Sequence, residues 1–387
     1  MEKICMLAVA HTAKDDRIFF KESISLKQAG YEVVNLVAIG PDGKIKDMSG
    51  AVLNHSNEEE IEVDGIKIIG ISEEDSFKER ILKKAFAGKF YKKYIERAIA
   101  VEADVYHAHE PQSYYIALEI AKKNGAKVIY DAHESWLTGS PKDMFIKGRY
   151  LRYLKYLIAA NPLTVKSLSE KNPNFESEVV YNASVMDGKK YAPLDEILIV
   201  HEGSFPFNRG LKLLLEGLKI LRDRKVGFKL KIVGEFKGEE KKYFDEFVYE
   251  NSLSTHINVT GWKKYEELPK ELEGAGIGLI LNTPTPNNLY GGPANKLFNY
   301  LANNCCVVAV DLPETKRIVE EKNVGLILKN RNPETLADAL QNLLENRDLL
   351  EAKRKAASVA HKKLNWQMES KKLVNFYEEH IFPKLIA

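Results

Sequence analysis

The stretch Tyr290–Ala302, YGGPANKLFNYLA, combines two glycines, a proline and a lysine in a pattern suited to binding an anion. Two glycines can leave backbone N–H groups free to converge on a ligand, and Pro293 suits the first turn of a helix. Lys296 would then lie one turn into that helix, with its side chain directed back toward the N-terminus. A helix N-terminus with its positive dipole and a nearby lysine can bind phosphate. Taken alone, the stretch is equally compatible with a loop followed by an amphipathic helix.

A second candidate anion site is the segment GSFPFNRGL, Gly203–Leu211. A predicted strand ends just before it, and a helix with leucines at i, i+3, i+4 and i+7 follows. Arg209 stands at the start of this helix, where a guanidinium can bind phosphate with two parallel hydrogen bonds. The sequence contains neither GxGxxG nor GxxxxGK[ST], which argues against a dinucleotide dehydrogenase and a P-loop ATPase.

Histidines and carboxylates follow three other predicted strands. The loop HTAKDDR, His11–Arg17, follows the first strand, and the segments YHAHEP and YDAHES end two later ones. Ligands of open α/β sheets bind at the carboxyl ends of the strands, so we expect these groups to contact a substrate. His133, in the last segment, is the strongest single candidate. The alternative for the first loop is helix capping by Asp15 or Asp16.

The same histidines raise the question of a metal site. Alternation along a strand places His107 and His109 on one side of their strand, and Asp131 and His133 on one side of theirs. A zinc site would require these groups to converge across strands, and none has the compact spacing of a metal motif. We therefore predict no metal. Each histidine also has an ordinary alternative, as a hydrogen-bonded residue of the core or the sheet edge.

Two segments, Phe77–Ala100 and Ile146–Leu157, are rich in basic and aromatic residues. A helix of this composition can lie on an anionic membrane surface. A domain helix with a solvated basic face explains the first segment at least as well. Peripheral membrane contact through 77–100 and 146–157 is therefore a hypothesis that leaves both interpretations open.

Short apolar runs alternate with amphipathic segments along the whole chain, a pattern typical of parallel α/β sheets. The strands predicted in the first half are Ile4–Val9, Val33–Ile39, Ile66–Ile71, Val105–His109, Val128–Asp131 and Leu163–Lys166. Those predicted in the second half are Ile197–Val200, Leu230–Val233, Ile257–Thr260, Ile277–Leu281, Cys306–Val310 and Val324–Leu328. Gly203, Gly234 and Gly261 each follow a strand of the second half, where the chain must turn at the ligand-binding edge.

The length of 387 residues suggests two or three domains. A polar break at Asn182–Pro193 separates two halves of similar size. We therefore predict one domain over 1–190 and a second over 191–366, with a cleft between them. A terminal helix, about 367–387, begins after the second half is complete, and we expect it to pack back on the first domain.

The composition excludes several classes of protein. Lys and Arg exceed Asp and Glu by only 57 − 55, which argues against a global nucleic-acid surface. Cys5, Cys305 and Cys306 lie in apolar runs and are expected to be buried thiols in a reducing compartment. No stretch approaches the ~18 consecutive apolar residues of a membrane span, and the N-terminal run is predicted to be a strand. We expect a cytoplasmic protein, with attachment to the inner face of the membrane as an extension of the membrane hypothesis.

Together, these segments resemble the family 4 glycosyltransferases, which are retaining enzymes of the GT-B fold. The resemblance rests on HTAKDDRIFFKESISLKQAGYEV, DVYHAHEP, VIYDAHE, G-x5-RGL, LKIVGE, VTGW and PANKLFNYLANNCCVVAVDLPE, followed by a tryptophan-led terminal helix at Trp366. It implies two Rossmann-like domains facing a central cleft, with a nucleotide-sugar donor held mainly by the second and the acceptor mainly by the first.

The resemblance also implies residue roles. Arg209 would clasp the donor diphosphate together with Lys296, His133 would contact the transferred sugar, and the segment around Trp262 would contact the nucleobase. The catalytic residues expected are His133, Arg209 and Lys296. The donor-binding residues expected are Gly203, Ser204, Arg209, Gly234, Trp262, Tyr290, Gly291, Gly292, Asn295, Lys296, Leu297 and Asn299. The acceptor-binding residues expected are His11, Asp16, Arg17, His109 and Glu110.

One departure from the family pattern concerns two glutamates that many relatives carry eight positions apart. Here those positions are Gly291 and Asn299. Asparagine can hydrogen-bond a ribose hydroxyl but cannot act as an ionised acceptor. The departure weakens any inference about the sugar and the ribose, whereas the diphosphate site depends on Arg209, Lys296 and backbone N–H groups.

The expected reaction is that of a hexosyltransferase: transfer of a hexose-type sugar, with retained anomeric configuration, to a hydroxyl of a saccharide or lipid-linked acceptor in surface-polysaccharide synthesis. The donor is a substrate, with a UDP-sugar expected, and no cofactor or metal is needed if two cations supply the positive charge. In this family-type mechanism the leaving phosphate can take the acceptor proton. The alternatives are a nucleotide-sugar epimerase of the same fold and a non-catalytic sugar-nucleotide binding protein.

Overall fold

The chain divides into two compact units, each built on its own sheet. The computed structural model describes residues 1–55, 58–72, 89–133 and 148–383. The first unit comprises Met1–Asn182 and Glu369–Ala387, and the second comprises Ala183–Met368. The division therefore falls at the start of the polar break, and the terminal segment groups with the first unit. Among the helices described, none is long and apolar enough to span a membrane.

The first unit contains an eight-stranded sheet in the order β3-β4-β2-β1-β5-β6-β7-β8. Its strands are β1 (Lys3–Ala8), β2 (Glu32–Ile39), β3 (Glu60–Val63), β4 (Ile66–Ser72), β5 (Val105–His109), β6 (Lys127–Ala132), β7 (Tyr156–Ala159) and β8 (Glu176–Val179). All paired strands run parallel except β3 against β4. Strand β5 is buried along its whole length, as expected of a central parallel strand covered on both faces. Because β1, β5 and β6 are neighbours, their carboxyl ends lie side by side.

The helices of the first unit connect these strands. They are a π-helical segment (Ile18–Ser23) that continues into α1 (Ile24–Gln28), followed by α2 (Lys89–Ile99), α3 (Glu110–Asn124) and α4 (Pro162–Ser169). Helix α3 begins directly at the end of β5, so that Glu110 is its first residue. The loops after β1, β5 and β6 are therefore the ones that carry the histidine and carboxylate segments.

One predicted strand of the first half is wrong. Leu163–Lys166 lies within α4, and the strand of this region is β7, which precedes it. The physical reason is a helix start: the Asn161 side chain accepts a hydrogen bond from the backbone N–H of Thr164, and Pro162 occupies the first turn. The short strands β3 and β8 were not predicted, since their exposed, charged sequences lack an apolar run.

The described aromatic side chains of the two proposed membrane segments differ in exposure: those of α2 are buried, whereas Tyr153 in the second segment is 50% exposed. Phe90, Tyr91 and Tyr94 are buried in the core of the first unit, and Leu157 lies inside β7. Residues 77–88 and 146–147 fall outside the described part of the chain, and 148–151 are helical. The described aromatic residues of α2 therefore serve the core, and they are not available to a lipid surface.

The second unit contains a six-stranded, all-parallel sheet in the order β11-β10-β9-β12-β13-β14. Its strands are β9 (Leu198–Glu202), β10 (Lys229–Val233), β11 (Ile257–Val259), β12 (Ala275–Ile280), β13 (Cys306–Ala309) and β14 (Gly325–Ile327). The α-helices of this unit are α5 (Leu211–Asp223), α6 (Gly238–Glu250), α7 (Leu268–Glu271), α8 (Pro286–Tyr290), α9 (Asn295–Ala302), α10 (Pro313–Glu321), α11 (Pro333–Glu345) and α12 (Arg347–His361). Helix α13 (Trp366–Phe376) begins at the end of this unit and continues into the terminal segment of the first unit. The leucine face of α5 packs into the core against the strands, as its spacing predicts.

Gly210 lies where helix α5 meets the loop after β9. Its φ is 94°, and a Cβ at this position would stand 2.5 Å from the backbone oxygen of Leu281. We expect Gly210→Ala to lower the thermal stability of the second unit, because the left-handed conformation alone costs an L-residue about 1–2 kcal/mol. Gly227→Ala is the matched control, since a Cβ there meets nothing within 4 Å and its backbone is unstrained. Equal melting temperatures for the two variants would contradict the packing described here.

Candidate functional site

The carboxyl edge of the first sheet brings His11 and His133 together. Their Nε2 atoms lie 3.3 Å apart, and each side chain is only slightly exposed, at 16% and 11%. His11 Nδ1 lies 3.1 Å from Asp15, and His133 Nδ1 lies 3.4 Å from Asp131. For the two Nε2 atoms to share a hydrogen bond, one must carry the hydrogen and the other must accept it. The two predicted histidines thus form one polar centre at the edge of the sheet, and each keeps a small exposed fraction.

Below this pair lies a buried ion-pair network. The Arg17 guanidinium donates to both oxygens of Asp131 at 2.8 and 3.1 Å, lies 2.8 Å from Glu22, and donates to the backbone oxygen of Val180. Burial alone would raise the pKa of Asp131, but Arg17 and hydrogen bonds from the neighbouring histidines hold it well below its usual range. Arg17 is only 2% exposed, so its predicted contact with an acceptor is wrong. Its charge is used to balance buried carboxylates inside the unit.

His107 and His109 lie in the same network. Their rings stack with centroids 4.8 Å apart, and both side chains are completely buried. Burial lowers the pKa of His109 to about 4, so that its ring is neutral at physiological pH. The predicted contact of His109 with an acceptor is therefore replaced by a role within the core. His107 Nδ1 lies 2.8 Å from the hydroxyl of Tyr377, which ties β5 to the terminal segment.

A metal ion is the other possible reading of this cluster. Glu22, His107, His109 and Asp131 each offer a ligand atom, all within 4.8 Å of one another. This spread exceeds the roughly 3.3 Å between neighbouring ligands of a tetrahedral zinc ion with bonds of about 2 Å. Both carboxylates are also already within 2.8 Å of the Arg17 guanidinium. We therefore assign the cluster to an ion-pair network among side chains.

Glu110 occupies a strained position at the head of α3. Its φ is 52°, which is uncommon for a residue with a side chain and is often associated with functional sites. One carboxylate oxygen accepts a hydrogen bond from the backbone N–H of Ala10 at 2.7 Å, and the other lies 3.7 Å from His11 Nε2. Burial raises the pKa of Glu110 to about 7. Asp16, by contrast, lies 2.7 Å from the Lys21 ammonium, which limits its part in binding an acceptor.

In the second unit, Arg209 stands at the carboxyl edge of the sheet, next to the loop after β9. Its guanidinium donates to the Ser204 hydroxyl at 3.0 Å and is otherwise exposed. Gly203 and Gly234 pack so closely that a Cβ on Gly234 would stand 2.2 Å from the Gly203 oxygen. The loops that follow β9 and β10 are therefore in contact here, and the Arg209 guanidinium lies beside Gly203. The arrangement suits an anion that approaches the edge of the sheet.

Helix α9 places Lys296 at the same edge. The helix begins at Asn295, with Ala294 as its N-cap, so Pro293 precedes the helix and does not lie in its first turn as predicted. Lys296 Nζ lies 3.1 Å from His201 Nε2 at the end of β9. Burial, followed by the nearby positive charge of Arg209, lowers the pKa of Lys296 to about 7. The two predicted cations therefore interact electrostatically.

The remaining donor-site predictions differ in exposure. Trp262, Tyr290 and Asn295 are exposed, and Gly291 and Gly292 are half-buried. Leu297 is completely buried, so its predicted contact with a donor is wrong for the side chain. Asn299 is also buried, and its amide donates to Glu202 at 2.9 Å.

His201 and Glu202 were not predicted to be functional. They end β9 with a histidine followed by a carboxylate, which is the pattern that drew attention to the segments ending β5 and β6. Both contact the face of α9 that carries Lys296 and Asn299. The histidine and carboxylate of IVHEGS are the sequence signal that identifies this strand end.

The comparisons with known proteins agree with this architecture. Over 99% of this chain and 100% of the other, the structure is similar to sucrose-phosphate synthase from Thermosynechococcus elongatus, with a TM-score of 0.75 and 14% identity. Over 98% and 100% it is similar to the Anabaena protein HepE in complex with UDP and glucose, with a TM-score of 0.73 and 11% identity. The fold is GT-B. The fold class predicted from the sequence is thereby confirmed.

The family match falls within the second unit. Residues 186–360 match the family described as glycosyl transferases group 1, and this range includes Arg209, Lys296 and His201. An uncharacterized glycosyltransferase of Methanocaldococcus jannaschii is 25% identical over 240 residues. That match covers 60% of this chain and 64% of the relative, so the chain spans less than two thirds of the curated protein.

Proposed function

We propose that this GT-B protein is a retaining glycosyltransferase that moves a sugar from a nucleoside-diphosphate donor to a hydroxyl group. The observation that carries the proposal is that the two basic side chains Arg209 and Lys296 lie close enough to interact electrostatically at the carboxyl edge of the second sheet. Both lie in the part of the chain that matches the glycosyl transferases group 1 family. The Anabaena protein of similar fold is described in complex with UDP and with UDP-glucose, which supports a UDP-sugar as donor.

The chemistry follows from the charge that develops on the leaving group. As the bond between the sugar and the diphosphate breaks, negative charge accumulates on the diphosphate. Arg209 and Lys296 are preorganised cations that stabilise this charge most strongly in the transition state. They supply the positive charge that a divalent cation provides elsewhere, so we propose that transfer is independent of metal. The acceptor proton passes to the leaving phosphate.

The first unit would bind the acceptor through His11 and Glu110, while His133, at the same centre, would contact the transferred sugar. These rings and Glu110 offer hydrogen-bond donors and acceptors at a partly exposed edge, which suits a polyhydroxylated ligand. Arg17 and His109 support this centre from below through Asp131. We propose a saccharide or lipid-linked acceptor, used in surface-polysaccharide synthesis.

The proposal is tested with labelled UDP-, GDP- and ADP-sugars, with and without a pool of saccharide and polyprenyl-phosphate acceptors, in buffer with and without EDTA. A glycosylated product with the anomeric configuration of the donor supports it. Conversion of donor to an epimer, without an acceptor, would identify an epimerase. Nucleotide binding with no product from any acceptor would identify a binding protein. Inhibition by EDTA would contradict only the proposal that transfer is independent of metal, and the transferase proposal would stand.

A further inference from the structure

The proposed reaction uses Lys296 as a cation, yet the residue lies in an environment that disfavours a cation. It is 8% exposed, and its Nζ contacts the ring nitrogen of His201, which is itself fully buried. The His201 ring stacks on Phe205 with centroids 3.6 Å apart, so it cannot turn away without losing this packing. A buried amine with an imidazole as its hydrogen-bonding partner is an unusual phosphate ligand.

The groups around Lys296 do not neutralise it. Within the described part of the chain it forms no salt bridge. The charged groups that act on it are Arg209, from the loop after β9, and Glu202, from the end of β9; the first disfavours the ammonium and the second favours it. His201 adds no charge, because burial and then the charge of Lys296 lower the pKa of its imidazole well below the usual range. The ammonium is therefore desolvated and poorly compensated until an anion arrives.

We propose that Lys296 is largely a neutral amine in the free protein at mildly alkaline pH and takes up one proton from solvent when a nucleoside diphosphate binds, with His201 as the positioning residue that holds Nζ. In the free state, a neutral Nζ–H donates to His201 Nε2. In the bound state, the Nζ lone pair has accepted a proton, and the ammonium donates to a diphosphate oxygen as well as to the imidazole. This inference rests on the proposed function, because it needs the diphosphate at Lys296.

The consequence is a nucleotide affinity that depends on pH. The pKa of Lys296 is lowered to about 7 in the free protein. A bound diphosphate would raise it, because a nearby opposite charge favours the ammonium. Above pH 7 the binding of a nucleotide must then include protonation of the amine, so affinity falls as the pH rises above 7. For such a group, affinity falls about five-fold between pH 7 and 8 and nearly ten-fold between pH 8 and 9.

The test is calorimetric titration of the full chain with UDP, GDP and ADP at about pH 8, in buffers with different enthalpies of ionisation. At this pH the nucleotide itself is fully ionised, so proton uptake reports the protein. The slope of the observed enthalpy against buffer enthalpy should give about 0.9 proton per nucleotide, as expected for a group with a pKa near 7.

Two variants assign the proton. In Lys296→Arg the guanidinium stays charged at all accessible pH values, so uptake should vanish while the nucleotide still binds. In His201→Leu the amine loses its hydrogen-bond acceptor, so the decline in affinity should begin at a lower pH than in the natural protein. The control is Lys219→Arg, which changes an exposed lysine paired with Asp223 on the surface of α5. It should leave uptake and its pH dependence unchanged.

The outcomes separate this inference from the proposed function. Binding of UDP, GDP or ADP with uptake near zero at about pH 8 overturns the proton-coupled mechanism and leaves the transferase assignment standing. Uptake that persists in Lys296→Arg assigns the proton to another group and overturns the role of Lys296. A pH profile in His201→Leu identical to that of the natural protein removes His201 from the mechanism. Failure of all three nucleotides to bind overturns both proposals.

Discussion

Replacing Arg209 with alanine should lower sugar transfer by about two to three orders of magnitude, equivalent to a loss of ~2.7–4 kcal/mol of transition-state stabilisation. The guanidinium is exposed and its described hydrogen bonds go only to Ser204, so its removal leaves no buried group without a partner. The loss should appear mainly in kcat, because charge on the diphosphate is greatest as its bond to the sugar breaks. The measurement is kcat and kcat/KM with the donor that supports turnover, together with the melting temperature.

The control for this variant is Arg224→Ala. Arg224 is an arginine of the same unit that pairs on the surface with Asp338, and its loss should leave kcat unchanged. Near-normal transfer by Arg209→Ala would contradict the proposal that Arg209 binds the donor diphosphate, whatever the behaviour of Lys296. A large fall in kcat with both variants would point to a nonspecific effect of net charge.

The fold was largely predictable because buried parallel strands appear in the sequence as short apolar runs. The central strands β1, β2, β5, β9 and β12 lie where such runs occur. The prediction failed at Leu163–Lys166, where an apolar stretch of the same length is helical. Periodicity cannot separate a buried helix from a buried strand over four residues. The signal that decides it, Asn161 followed by Pro162, is a local helix start that outweighs the apolar run.

The site was predictable in position and less so in roles. His11, His133 and Glu110 each follow or end a predicted strand, and in the structure they lie at one edge of the sheet. The reason is that β1, β5 and β6 are adjacent and parallel, so their carboxyl ends are neighbours. The sequence pattern could not tell that Arg17 and His109 lie beneath that edge. Whether a polar residue meets solvent or a buried partner depends on tertiary contacts such as Arg17 with Asp131, which are far apart in sequence.

Replacing Arg17 with methionine should destabilise the first unit by about 3–5 kcal/mol at pH 7.5, the cost of breaking a buried ion pair by removing one partner. Glu22 and Asp131 are both completely buried, and the Arg17 guanidinium lies 2.8 Å from each. Methionine fills much of the volume of the side chain and carries no charge. Since burial already raises the pKa of Glu22 well above its usual range, the loss reports mainly the Asp131 carboxylate left without a countercharge. The measurement is the free energy of unfolding from urea titration, with hydrogen exchange in β5 and β6 to locate the effect.

The control for Arg17→Met is Arg97→Met. Arg97 pairs with Glu60 at the surface, where such pairs contribute about 0.2–1 kcal/mol. Similar losses in the free energy of unfolding for the two variants would show that the buried ion-pair network does not stabilise the first unit.

The destabilisation by Arg17→Met should also shrink as the pH falls. In the natural protein the folded pKa of Asp131 is held below its unfolded value, so its contribution to stability is present above the unfolded pKa and is lost only as the pH falls through the folded one. Without Arg17, burial dominates and raises the pKa of Asp131, as it already does for Glu22. Protonation then relieves the buried charge, and the gap between the variant and the natural protein should be smaller near pH 5 than near pH 7.5. A gap that is independent of pH would mean that the loss comes from packing, and that the charge of Arg17 is not what the buried carboxylates require.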